Sequence, residues 1–343
     1  MRTEPVPAEP SDHEAVVLAS SGLGTGPSLP GQDQSIRLKP YRKLGDRIFA
    51  GTATGAGVLI LLVLAGVAAF LIVEAAPAIV APASEIPGGR GLVAYVWPLA
   101  FGTLLAAAIA LVVATPLAVA VGLFITQYAP RRLALLLGYA VDLLAAVPSI
   151  VYGLWGLAVL APASVGFSRW LHDTLGFLPL FAGPVSTTGR TMLVAGLVLA
   201  VMIVPIITAV CREVFAQTPK LHEEAALALG ATRWEMIRLA VLPFGRSGII
   251  SGAMLGLGRA LGETMAVAIV LSVSGTVTIN LIGSANPATI AANIALEFPE
   301  ATGLEINTLI ASGLVLFGIT LVVNSLARLI ANRHSTPSGA GRS

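Results

Sequence analysis

Arg259 and Glu263 stand four residues apart inside a long apolar run, 247–273. A charge at the centre of a membrane span costs roughly 2.5 to 3.5 kcal/mol even on insertion scales, so both groups must be paired or wet. At about 100° per residue, Gly252, Gly256, Arg259, Glu263, Ala266 and Val270 fall along one line of a helix. A guanidinium keeps its charge at any accessible pH and can grip two oxygens of an oxyanion at once. The pair is therefore expected to serve a substrate pathway, with Glu263 holding the guanidinium between cycles. The competing reading is an internal i,i+4 ion pair kept for packing or assembly. Asp142 and Glu74, nearer the ends of their apolar runs, are adequately explained by interfacial solvation.

A second polar stretch lies between two apolar runs: Glu224-Ala225-Ala226, then Gly230 six positions on, then Leu242-Pro243, with Gly230 and Pro243 thirteen apart. Thr218 can cap a helix beginning at Pro219, where the missing N–H has no intrahelical partner to lose. That helix is expected to run to Leu229. Gly230 suits a left-handed turn, Thr232 and Glu235 spell a capping box for a second helix, and Pro243 is expected to end it. Ala225 and Ala226 leave a low-relief face flanked by Leu221 and Leu229, fit to sit in a partner's groove; the plainer alternative is an ordinary amphipathic loop helix.

The elements that carry these groups belong in a bilayer. Mean hydropathy is +0.87, and 56% of the 343 residues are hydrophobic against 11% charged, outside the soluble globular range. Six apolar runs are long enough to cross a bilayer, whose core needs about 20 helical residues: 48–73, 96–126, 133–160, 191–215, 247–273 and 306–330. Lys and Arg divide 16 to 3 between alternate connecting segments, which predicts both termini and the Glu224 loop on the cytoplasmic side. Residues 1–40, rich in Pro, Gly, Ser and acids, are expected to form a disordered cytoplasmic tail rather than a signal peptide, and 335–343 a second tail. The segment 161–190, with Trp170 to Phe177, is expected outside as an interfacial piece. The segment 275–305, which has Glu297, Glu300 and Glu305 and no basic residue, is expected to be an outward-facing loop. Pro116, Pro148 and Pro205 predict kinks.

Cys211 alone excludes an intrachain disulfide framework, and His13, His172, His222 and His334 sit in unrelated segments, so no metal or cofactor is expected. Gly22-Leu23-Gly24-Thr25-Gly26 lacks the following Lys-Ser/Thr of a phosphate loop. Gly-x4-Gly-Lys-Ser/Thr occurs nowhere in the chain, so ATP hydrolysis by that chemistry must lie elsewhere.

The spacing from Glu224 to Pro243 resembles the EAA loop of ABC-importer permeases, with Ala240 in place of the usual Ile. Val147-Pro148-Ser149-Ile150-Val151-Tyr152-Gly153 and Gly258-Arg259-Ala260-Leu261-Gly262-Glu263-Thr264-Met265-Ala266-Val267 resemble the signatures of phosphate ABC-importer permeases. The Gly-Glu-Thr-Met-Ala-Val form is similar to the PstC type rather than the PstA type. The resemblance covers roughly 41–334. It implies an all-α polytopic membrane protein with six transmembrane helices in the type I, MetI-like permease fold, in a bacterial cytoplasmic (inner) membrane. By the same resemblance the chain would be a non-catalytic permease subunit for inorganic phosphate. It would work with a PstA-type permease, two copies of an ATPase and an extracytoplasmic phosphate-binding protein, with Glu224, Ala225, Ala226, Gly230, Leu242 and Pro243 as its own ATPase-coupling residues. No nucleic acid is implied. The alternatives are a type I permease for another oxyanion such as molybdate or sulfate, a membrane-embedded enzyme, for which no catalytic constellation is present, and a secondary transporter, for which inverted repeats would be expected.

Overall fold

The computed structural model describes residues 44–334; the expectations for the two tails, 1–40 and 335–343, lie outside the described residues. Two compact units divide between Leu61 and Leu62. The described part of the first is the N-terminal portion of helix α1 (Leu44–Val80). The second holds everything from Leu62 onward.

Within that unit the centre is α6 (Met192–Ala216), whose buried residues include Val194, Val198, Met202, Ile203 and Ile207. Helix α2 (Leu92–Leu123) lies along it, and the sequence explains why so closely. Ala106, Ala107, Ala110, Ala114 and Ala118 recur at helical spacing and are fully or almost fully buried. Gly196 meets Ile109, and Gly122 meets Cys211 one helix over, so α2 and α6 run parallel. Apolar collapse gives little drive between helices in lipid, and small residues gain packing by letting backbones approach. Helix α9 (Leu242–Leu261) does the same from the other side, antiparallel, with Gly245 and Gly248 against Phe215 and Val214 and Gly256 against Ile207 and Ile203.

Among the described residues, six helices are long and apolar enough to cross a membrane: Ile48–Val80, Leu92–Tyr128, Ser149–Leu175, Met192–Ala216, Arg233–Leu261 and Leu304–Leu329. Two differ from the expected runs. The third begins at Ser149, not near 133, because Pro148 lacks an N–H and holds Val147 away from helical geometry. What precedes it is a separate amphipathic helix, α3 (Arg131–Ala145). After the break, α4 (Ser149–Trp155) continues through a π turn at Gly156–Leu160 into α5 (Ala161–Leu175). The stretch from 161 to 175, expected as an interfacial piece, is thus the far end of a span. The Tyr152 hydroxyl donates to the Leu144 carbonyl at 2.8 Å, giving the end of α3 a partner across the break. Pro116 and Pro205 sit inside unbroken α2 and α6.

The fifth run divides at Gly262-Glu263-Thr264 into α9 and the short α10 (Met265–Val270), and the helical span that ends in α9 begins at Arg233, well before the expected 247. The segment after α10 folds back into the body rather than forming a solvated loop. Leu281, Ile282, Asn286, Ala288 and Ile290 are buried, and α11 (Ile290–Glu297) is capped by Thr289. Helix α12 (Leu304–His334) is the last described element, tied near its start by the Asn307 amide, which donates to the Glu74 carbonyl at 2.7 Å.

Candidate functional site

Gly256 lies against Ile203 and Ile207 near the middle of α6, so Arg259, one turn further along α9, stands at about mid-depth of the bundle. Its side chain is exposed and opens into a groove of about 560 Å³, with Ile206, Leu255 and Gly258 in the wall. The expected glycine-lined face is not the one Arg259 uses: Gly252 and Gly256 are buried against α6. Nor does Glu263 hold the guanidinium. Among the described residues the only ion pair within 4 Å joins Arg212 to Asp142 at 3.1 Å.

Glu263 is 8% exposed, and its carboxylate accepts the Ala266 N–H at 3.1 Å. The physical reason is local. Helical arithmetic put Arg259 and Glu263 on one line, but Glu263 sits where α9 has ended, and its carboxylate partners an N–H in the first turn of α10 that would otherwise go unsatisfied. At the other end of α10, Arg190 donates to the carbonyls of Ile269, Val270 and Leu271 at 3.2 to 3.4 Å, a cation placed where the helix dipole favours it. Asn286, fully buried, donates to the carbonyls of Arg190, Ser272 and Gly283 and accepts the Met192 N–H. Arg190 and Asn286 were missed in the sequence. An asparagine in an acidic connecting segment carries no signal of its role, though a basic residue on the sparsely basic side was a pointer to Arg190.

The two quoted signatures meet. A Cβ on Gly153 would stand 2.8 Å from the Ala266 Cα, so only glycine lets α4 and α10 touch at this point. The motifs Val147–Gly153 and Gly258–Val267 therefore form one packed joint beside Arg259.

Between α6 and α9, helix α7 (Lys220–Ala228) starts one residue later than expected, with Pro219 in the N-cap position and no side-chain capping bond, and Gly230 adopts φ +85°. Thr218, expected as the cap, is instead buried, its hydroxyl without a hydrogen-bond partner. Thr232 and Glu235 form the expected capping box on α8 (Arg233–Met236). Pro243 does not end that helix. A π turn at Ile237–Val241 leads straight into α9, and its wider winding makes room for a ring that would clash with a carbonyl four residues back. Leu221 and Leu229 are 76% and 89% exposed, with Glu224 and Ala225 on the same open side. Ala226 turns the other way and packs against the core, as does Leu242, while Pro243 is exposed. Glu223 accepts a hydrogen bond from the Gln127 amide at 3.4 Å, linking α7 to the end of the α2 span.

Comparison with known proteins identifies this arrangement. The model of the family described as "Binding-protein-dependent transport system inner membrane component" matches residues 114–336, and the chain belongs to that family. It is 46% identical over 309 residues to the Mycobacterium tuberculosis "Phosphate transport system permease protein PstC 2", covering 87% of this chain and 94% of that one. A Mycobacterium leprae protein named "Phosphate transport system permease protein PstC" is 48% identical over 251 residues, 72% of this chain and 78% of that one. A Mesorhizobium japonicum protein of the same name is 38% identical over 315 residues, 87% and 93%. The family is that of the membrane component of a transporter, in which energy comes from another subunit.

Proposed function

We propose that this chain is one permease half of an ATP-driven inorganic phosphate importer, and that Arg259 contacts phosphate in transit. The observation that carries the reading is a mid-depth guanidinium, exposed in an open groove and without a carboxylate partner among the described residues, in a chain whose relatives are named for phosphate transport. A groove open on one side is half a pathway. A PstA-type permease closes it, two ATPase copies drive it, one of them docking on the Leu221, Glu224, Ala225 and Leu229 side of α7, and an extracytoplasmic phosphate-binding protein delivers substrate. Ala226, Gly230, Leu242 and Pro243 support that docking from behind by holding α7 and α8 in place. Glu263 acts through α10, whose first turn it caps. Both termini and the α7 loop face the cytoplasm, a reading supported by the 16 to 3 division of basic residues.

The grip on phosphate must be loose: charge-assisted hydrogen bonds contribute roughly 1.5 to 3 kcal/mol each, and a site that kept all of that would trap its ligand. Arg259→Gln in the assembled complex should abolish phosphate uptake while the subunits still copurify, and Arg259→Lys should keep partial transport because the point charge survives without the fork. Normal uptake by Arg259→Gln would remove Arg259 from the pathway. Failure of that variant to assemble would make the residue structural.

A further inference from the structure

The groove that receives Arg259 has a second cation, supplied by another helix. Arg328 of α12 lines it, with Asn324 one turn back on the same helix and Ser251 two turns below Arg259 on α9. No Asp or Glu contributes to the wall. Neither guanidinium, nor the Asn324 amide, has a hydrogen-bond partner among the described residues, and neither arginine has a carboxylate within 4 Å there. Ser251 donates only to the Ser247 carbonyl of its own helix, at 2.9 Å, a local bond it can exchange for a ligand oxygen. The spacing is geometric: Asn324 and Arg328 are i,i+4 neighbours, and Ser251, Leu255, Gly258 and Arg259 share one face of α9.

Arg328 also lies further in than Arg259. Asn307 is bonded to Glu74 near the start of α12, and Arg328 is about 30 Å further along the helix. Ser251 is about 12 Å back along α9 from Arg259, in the direction of the α7 loop. The groove thus offers unpartnered donors at two levels, one at mid-depth and one toward the end bearing the coupling loop.

We propose that Arg328, Asn324 and Ser251 form a second oxyanion station, at which inorganic phosphate is held after it leaves Arg259 and before release on the α7 side. This rests on the reading of Arg259 as a pathway residue and extends it. A permeating ion needs sites favourable enough to enter and weak or numerous enough to leave, and a second guanidinium gives phosphate somewhere to go when Arg259 lets it free. The same donors would suit a lipid phosphodiester, so the test separates the two sources.

The assembled nucleotide-free transporter, in nanodiscs of purely zwitterionic lipid, is titrated with radiolabelled inorganic phosphate. Arg328→Gln should weaken binding about tenfold, the loss of roughly one charge-assisted contact. Arg328→Lys should recover most of it, which a purely structural role would not require. Asn324→Leu should weaken binding by a smaller factor and carries the test if Arg328→Gln does not assemble. Unchanged phosphate affinity in these variants overturns the station, as does a difference that appears only in nanodiscs containing anionic lipid. If Arg259→Gln abolishes uptake while Arg328→Gln binds phosphate normally, only the second station falls; if Arg259→Gln transports normally, the pathway reading itself falls.

Discussion

Glu263 shows how a single hydrogen bond decides between two roles. Its carboxylate takes the Ala266 N–H rather than the Arg259 guanidinium, so what matters is an acceptor oxygen at that position, not a negative charge. Glu263→Gln, which keeps such an oxygen, should retain most transport. Glu263→Ala, which leaves the N–H unsatisfied, should cost about 1 kcal/mol and lower uptake further than Gln does. Phosphate uptake and thermal unfolding of the two variants, measured side by side, check this; equal loss in both would restore the charge to importance. The position of Arg259 was legible from its neighbours in sequence, but its missing partner was not. Periodicity assumes that a helix continues, and Gly262-Glu263-Thr264 ends one where no proline gives warning.

At the scale of elements, α7 separates a surface from its support. Leu229 and Ala225 are exposed, so Leu229→Asp and Ala225→Asp should reduce ATPase copurification without lowering the thermal stability of the isolated subunit. Ala226 packs inward, so Ala226→Asp would bury an uncompensated charge and should lower stability itself. Gly230→Val places a β-branched side chain at φ +85°, a strain of about 1 to 2 kcal/mol, and should weaken docking by misaligning α7 and α8. The α4–α10 joint makes a parallel case, since any side chain at position 153 collides with the Ala266 backbone. Gly153→Leu should lower the unfolding temperature of the subunit and impair transport together. Short-range chemistry was readable here: the capping box at Thr232 and Glu235 and the turn at Gly230 depend on residues a few positions apart. Pro243 misled because a π turn absorbs it, and Thr218 because tertiary burial outweighs a capping preference. The Tyr152 bond to Leu144 and the Arg190 cap on α10 join segments 8 and about 80 residues apart, which no local pattern reveals.

For the whole molecule, the number of spans and their order followed from apolar length alone, whereas the bounds of the third and fifth depended on how Pro148 and Glu263 interrupt them. The basic-residue division carries the orientation. A cysteine introduced at position 227 should be labelled by an impermeant reagent only after the membrane is opened, and Cys211, fully buried in α6, should add no background. Labelling of that position from outside intact cells would invert the topology. The central claim concerns what crosses. Proteoliposomes holding this chain with its partner permease, the ATPase and the extracytoplasmic binding protein should accumulate radiolabelled phosphate only when ATP is hydrolysed, with neither sulfate nor molybdate competing. ATP-driven accumulation of sulfate or molybdate in place of phosphate would contradict it.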